Sequence, residues 1–249
     1  MPRFYIRPEF WDPNNLILCK SESHHCLNVL RLKEGDKVSA FNGQGEEVHT
    51  EIQIATKGQV QLKESQPTQS IKPKAKIALG QAIPKGKNMD LIIEKATELG
   101  ISEIYPIISD RSIVRISSDE LVKKQEKWQR VATEACKQSG QNWLPEVQIP
   151  KKPEELFQSD QLKYDLLLIA SLQKESKHLK EILSEYQDAH QKTRPNSVLI
   201  LIGPEGDFTP SEINVALNIG YSPMTLGPIV LRSETAALYS LSVLSYELL

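Results

Sequence analysis

VLILIGPEGDFTPSEI, residues 198–213, sets the fold class. Five consecutive apolar residues, Val198–Ile202, predict a strand covered on both faces, as the strands of parallel sheets are. Gly203 and Pro204 break that run, and Thr209-Pro210-Ser211-Glu212 reads as a capping box with proline at the first helical position. Gly220 closes the helix that follows. Strand, turn and helix in this order make one unit of an α/β sheet.

The same alternation extends in both directions. Upstream, strands are predicted at Ile77–Ala82, Ile104–Ile108 and Asp165–Ala170. Helices are predicted near Asn88–Leu99, at Ser118–Ser139 and near Glu175–Asp188. The first of these helices has Met89, Ile92, Ile93, Ala96 and Leu99 on one face, Asn88 as its cap and Gly100 at its end; the second ends at Gly140. Downstream come a short strand, Met224–Leu226, and a terminal helix, Ser233–Leu249. A mainly parallel sheet is the expectation.

The first 70 or so residues change period. Phe4–Arg7, Lys37–Phe41, Val48–Ala55 and Gln59–Lys63 read as strands, divided by Asn42-Gly43-Gln44-Gly45 and Lys57-Gly58. One helix, about His24–Leu32, with Ser21 or Ser23 as cap, interrupts them, so a small β-barrel is expected. Glu64–Lys76, polar and with two prolines, reads as linker or boundary, which divides the chain into 1–72 and 73–249.

Composition narrows the class. With 249 residues, 39% hydrophobic and 25% charged, the chain is neither disordered nor fibrous. No apolar run approaches the roughly 20 residues of a membrane span, and MPRFYIRPEF lacks a signal peptide's apolar stretch, so a soluble cytoplasmic protein is expected. Cys19, Cys26 and Cys136 form no CxxC pair and read as reduced thiols. The net charge of −2 hides an uneven spread. Residues 72–143 carry 13 basic and 9 acidic groups, whereas 144–249 carry 9 and 14. A basic middle suits an anion such as RNA, and it equally suits a solvated surface.

Ligands of open α/β sheets sit beyond the carboxyl ends of strands. GPEGDF (203–208) matches neither GxGxxG nor GxxxxGK[ST], and Glu205 and Asp207 would repel a polyphosphate. The stretch fits a neutral or cationic ligand, or simply a tight turn with solvated acids. In LGPIVLRSETAA (226–237), the planar fork of Arg232 suits a base carbonyl or a phosphate. Glu234 and Ser233 also suit plain helix-dipole and capping roles. His24 and His25 point to different helical faces and make a poor metal pair, and no metal-ligand or Ser-His-Asp spacing appears, so no metal is expected. Arg3, Arg7, His24, Arg31, Lys85, Lys87, Arg111 and Arg115 are the candidate RNA-facing cations, with Lys33 and Lys95 beside them.

Taken together, HHCLNVLRLKEGDKV (24–38), KGKNMDLIIEKATELGISEIYPI (85–107), EACKQSGQNWLPEV (134–147), LIGPEGDFTPSEI (201–213) and LGPIVLRSETAAL (226–238) carry a resemblance across nearly the whole chain. It resembles the RsmE-type 16S ribosomal RNA (uracil-N3) methyltransferases of the SPOUT superfamily. The resemblance implies a PUA-like RNA-binding barrel, a trefoil-knotted C-terminal methyltransferase domain and a homodimer. The apolar face of the terminal helix (Ala237, Leu241, Leu244, Leu248) is compatible with that dimer. It implies S-adenosylmethionine as donor and one uridine of 16S rRNA, in the 30S subunit, as acceptor. Carried onto this chain, the cofactor residues are Ala170, Ser171, Leu201, Ile202, Gly203, Glu205, Gly206, Leu226, Gly227, Ile229 and Leu231, with Arg232 and Glu234 at the transfer centre. Asp207, Ile229 and Gln141 depart from the family pattern, where glycine, arginine and arginine are common.

The mechanism this implies is in-line displacement by uracil N3. Arg232 would stabilise charge on the carbonyls, while Glu234 would either accept the proton or orient Arg232. Residues 73–249 alone are expected to bind donor but to lose most activity on ribosomal subunits. The alternatives are a SPOUT enzyme for another RNA base or ribose, and a non-catalytic RNA-binding assembly factor.

Overall fold

The computed structural model describes residues 1–249 apart from 57, 87, 113–116, 158–162 and 174. These fall into two compact units, Met1–Lys72 with Thr133–Leu144, and Pro73–Ala132 with Pro145–Leu249.

The first unit holds β1 (Arg3–Tyr5), β2 (Ile17–Leu18), α1 (Lys20–His24), β3 (Lys37–Phe41), β4 (Glu46–Thr56), β5 (Gln59–Leu62) and β6 (Thr68–Gln69). The strands run in the order β1-β3-β4-β5-β2, with β6 beside β4. β4 serves two neighbours. Glu47–Glu51 pair with β3, Ile52–Thr56 pair with β5, and a register shift between Ile52 and Ile54 turns the strand from one to the other. Phe4, Leu16, Cys26, Val38, Val48, Ile52 and Val60 form its core.

Three expectations shift here. The helix predicted from His24 begins at Lys20 and becomes a π-helical turn over His25–Val29. Neither Ser21 nor Ser23 caps it. Cys19 stands at the cap, and buried Ser23 instead donates to the Leu18 carbonyl (3.0 Å) and accepts from the Val60 amide (3.2 Å), which ties α1 to β5. The stretch expected as linker contains β6, because Thr68 and Gln69 pair with Glu47 and Glu46. Thr133–Leu144 joins this unit through its main chain. The Gly45 amide donates to the Asn142 carbonyl and the Leu144 amide to the Gly43 carbonyl, both at 3.0 Å. Gly45, at φ 96°, has no room for a Cβ, which would lie 2.4 Å from the Trp143 ring.

The second unit is an α/β sheet. Its strands are β7 (Lys76–Ala82), β8 (Glu103–Ile107), β9 (Glu146–Val147), β10 (Leu166–Ala170), β11 (Ser197–Ile202) and β12 (Ser222–Met224). All pair in parallel, in the order β12-β10-β11-β7-β8-β9. Its helices are α2 (Asn88–Glu98), α3 (Ser118–Ser139, with its last turns in the first unit), α4 (Pro153–Phe157), α5 (Leu179–Ala189), α6 (Pro210–Asn218) and α7 (Ser233–Leu248). Val198–Ile202 is buried throughout, as the unbroken apolar run predicts. Gly80 lets the sheet close over Leu201, whose side chain would meet a Cβ there at 2.3 Å.

Two boundaries move for a common reason. α5 starts at Leu179 rather than near Glu175, and β12 ends at Met224 rather than Leu226. Lys177 runs beside β12, its amide donating to the Pro223 carbonyl (3.1 Å) and its carbonyl accepting from the Thr225 amide (2.9 Å). Main-chain pairing there outcompetes the helical start. The terminal-helix face compatible with a dimer is also reassigned. Ala237, Leu241 and Leu244 are fully buried and Leu248 nearly so, because α7 packs on α2, β7 and β11 of its own chain. Its outer face shows Tyr239 and Tyr246.

Candidate functional site

The loops leaving β10, β11 and β12 meet around a pocket of about 560 Å³, counting its open mouth. Ala170, Ser171, Ile202, Gly203, Glu205, Leu226, Gly227, Ile229 and Leu231, all singled out from sequence, line it. Leu201 and Gly206 do not. Leu201 is buried in the core, and Gly206 turns its carbonyl to Arg111. Leu172, Pro204, Asp207, Val230, Ser233 and Ala236 complete the wall. Five of these neighbour singled-out residues in the chain, and Ala236 lies one helical turn beyond Ser233.

The β11 loop is held from several sides. Its Asp207 amide donates to the Pro204 carbonyl (2.9 Å), closing a tight turn. Asp207 itself sits at φ 62°, the left-handed region, and its Oδ1 accepts from the Phe208 amide at 2.7 Å. That local bond is how an aspartate holds a place where glycine is most comfortable. Burial pushes the Asp207 carboxyl above the usual aspartate range, against the lowering effect of the Phe208 amide and Arg111. Glu205 accepts from the Lys85 amide at 3.3 Å, and Arg111 donates to the carbonyls of Gly206 (2.6 Å) and Phe208 (3.4 Å). The Thr209–Glu212 capping box is fully formed. Buried Glu212 also accepts from the Asp110 amide (3.0 Å) and the Ser109 hydroxyl (3.2 Å), so the loops after β8 and β11 are knitted together.

On the opposite wall, Gly227 turns at φ 108°, with its amide donating to Thr225 Oγ1 at 3.2 Å. The Ser171 amide donates to the Met224 carbonyl (3.0 Å). Ser233, which the sequence offered as a cap for the final helix, does not cap it. It is the first residue of α7, and its hydroxyl donates to the Gly203 carbonyl at 2.8 Å. Arg232 holds the cap position with its side chain exposed, and half-buried Glu234 follows in the first turn. Among the described residues, neither side chain makes a hydrogen bond or ion pair within the chain.

The electrostatics are one-sided. The wall carries Glu205 and Asp207, and no lysine, arginine or histidine lies among its described lining residues. An apolar pocket with two carboxylates and main-chain groups from three strand ends suits a neutral or cationic organic ligand better than a phosphate.

The candidate cations divide. Arg3 turns inward, its side chain 7% exposed, and bonds Glu47 (3.0 Å), the carbonyls of Cys136 and Gln141, and the Asn142 side chain. It also lies over the Phe41 ring at 4.1 Å, so it is a clamp within the first unit. Arg111 is likewise occupied by the β11 loop. Arg7, His24, Arg31 and Lys85 are exposed, while Lys87 and Arg115 lie outside the described residues. Arg31 is presented at φ 56°, two residues beyond the end of the π-helical turn. Among the described residues no cluster of three His, Cys, Asp or Glu could hold a metal, and no helix is long and apolar enough to cross a membrane.

Residues 71–245 match the family described as RNA methyltransferase domain, and residues 18–65 match the one described as RNA methyltransferase PUA domain. The chain is 31% identical to the ribosomal RNA small subunit methyltransferase E of Bacillus subtilis, covering 99% of this chain and 97% of that protein. The corresponding Neisseria gonorrhoeae enzyme, solved bound to S-adenosyl methionine, superposes with a TM-score of 0.85 at 29% identity, covering 99% and 98% of the two chains. Lpg2936 of Legionella pneumophila, solved in complex with bound SAM, gives 0.87 at 32% identity, covering 98% and 97%.

Proposed function

This chain belongs to the RNA methyltransferase family, and we propose that within it the protein is a knotted SPOUT enzyme that methylates N3 of one uridine in 16S rRNA. It is a SAM-dependent ribosomal RNA methyltransferase. The observation that carries the reading of the donor site is the pocket itself. Three strand-end loops converge on a space whose only charged lining groups among the described residues are carboxylates. A sulfonium and an ammonium are attracted by Glu205 and Asp207, and an adenine can be read by the main chain of the Leu226–Leu231 loop. The residues present therefore fit S-adenosylmethionine.

When bound, that donor supplies an electrophilic methyl group on a positively charged sulfur. The chain must do the rest. Gly203 and Gly227 fix where the loops run, and the apolar side chains Ile202, Leu226 and Leu231 exclude water. In this reading, uracil N3 gives up its proton and places charge on the two carbonyl oxygens. Arg232, with no partner of its own among the described residues, supplies donors for that charge. Glu234, one helical residue beyond Ser233, receives the proton or orients Arg232.

The first unit would hold the surrounding RNA by shape and phosphate contacts through its exposed Arg7, His24 and Arg31. The acceptor base must be unpaired to expose N3. A second copy of the chain would cover Leu172, Ile229 and Val230, which stand 65%, 73% and 70% exposed on the pocket wall. Such an enzyme works in the cytoplasm, on the 30S subunit. The test is a donor-dependent assay on 30S subunits lacking the mark, with the product nucleotide mapped by mass spectrometry. One N3-methyluridine is expected; a methylated ribose or another base overturns the uridine reading.

A further inference from the structure

Gln81 lies on β7, opposite Ile202 of β11, and is fully buried. Its Nε2 donates to the Ala82 carbonyl at 2.8 Å and to Ser233 Oγ at 2.9 Å. Ser233, itself 4% exposed, passes its single hydroxyl proton to the Gly203 carbonyl at 2.8 Å. Both acceptors facing Gln81 need a donor, which fixes the amide with its nitrogen toward them. Its Oε1 is left buried with no hydrogen-bond partner. An apolar side chain at this position would avoid that cost, so the use of a glutamine here lies in what its nitrogen donates.

The chain of bonds starts on a central strand and ends on the pocket wall. Gly203 belongs to the β11 loop, while Ser233 stands between Arg232 and Glu234 at the start of α7. Among the described residues, no other side-chain hydrogen bond joins the start of α7 to that loop. We propose that Gln81 and Ser233 are positioning residues, a relay that locks the Arg232–Glu234 end of α7 in register with the Gly203 side of the pocket. This rests on the methyltransferase reading above. Alignment of donor and acceptor governs such a transfer, and a displacement of about 1 Å costs on the order of 100-fold in rate. The relay therefore acts on turnover more than on donor affinity.

The test compares Ser233→Ala, Ser233→Thr, Gln81→Met and the Gln81→Met/Ser233→Ala pair in the full-length protein. For each, kcat on unmethylated 30S subunits, the Kd for S-adenosylmethionine by calorimetry and the melting temperature are measured. Ser233→Ala and Gln81→Met are expected to lower kcat at least about tenfold with Kd changed less than about threefold. The double variant is expected to be no slower than the slower single, and Ser233→Thr, which keeps the hydroxyl, to recover most of the rate. Parental kcat in either single variant, multiplied losses in the double, or a lowered melting temperature with unchanged kcat overturns the relay. If Ser233→Ala does not fold, Gln81→Met, which preserves volume, carries the same expectation alone. Absence of methylation by the parental protein is a failure of the functional reading instead, whereas a parental enzyme whose variants turn over equally well is a failure of the relay.

Discussion

Arg3 in the first unit and Arg232 in the second start from a similar sequence setting, an arginine next to apolar residues. Arg3 ends 7% exposed, with its guanidinium divided among a carboxylate, two carbonyls, an amide oxygen and an aromatic ring. Arg232 ends exposed at the mouth of α7 and bonds nothing among the described residues. A guanidinium whose donors are committed within the chain holds a fold together; one whose donors are open is available to a substrate. The contrast shows that a basic residue's role follows from where its donors go.

The largest expected effect separates the two directly. Arg232→Ala is expected to lower kcat for rRNA methylation by about 100- to 1,000-fold with the melting temperature unchanged, as for loss of a donor aimed at developing charge. Single-turnover kinetics and a thermal melt check both halves, and a parental rate would remove Arg232 from the chemistry. Arg3→Ala should do the reverse. It leaves the Glu47 carboxylate, 16% exposed, without its cation, and a loss of about 3 kcal/mol in unfolding free energy is expected from denaturant titration.

A third comparison uses pH. Burial pushes the Glu47 carboxyl up, but hydrogen bonds from Arg3 and Asn142 outweigh it and hold the group below the usual carboxylate range. A depressed folded-state pKa gives stability that is present above the unfolded value of about 4.3 and lost as pH falls through the folded value. Glu47→Gln is therefore expected to flatten the fall in stability between about pH 5 and pH 3, and Arg3→Ala to flatten it too. Unchanged slopes in both variants would detach Glu47 from the clamp. The smallest effect is expected at Asp207→Gly, which relieves the backbone at φ 62° but loses the bond to the Phe208 amide. The two terms oppose, so stability should move by less than about 1 kcal/mol.

The expected independence of residues 73–249 also changes. Thr133–Leu144 packs with the first unit, where the Cys136 carbonyl and the Asn142 side chain receive Arg3. Removing residues 1–72 strips that segment of its partners, so such a fragment tests packing as well as RNA binding.

Much of the architecture was legible because local signals agreed. The run Val198–Ile202, the Thr209–Glu212 box and the helix ending at Gly140 each state a period and a stop, and each appears where it was read. Boundaries failed where main-chain pairing with a distant strand overrode them, as at Lys177 beside Met224 and Thr68 beside Glu47. The pocket was legible as two glycine-proline turns at strand ends. Ser233 was read as a helix cap, because its donation to Gly203 spans 30 residues and its acceptance from Gln81 spans 152.

By itself, the sequence determined the order of the longer strands and helices, the two glycine turns and the acidic character between them, since period, capping and charge are local properties. Tertiary structure alone decided which cations are open, which serine bridges rather than caps, and which apolar face of the last helix is spent inside the chain. Those outcomes depend on groups far apart in sequence competing for the same donors, acceptors and buried area, and no local pattern records who wins.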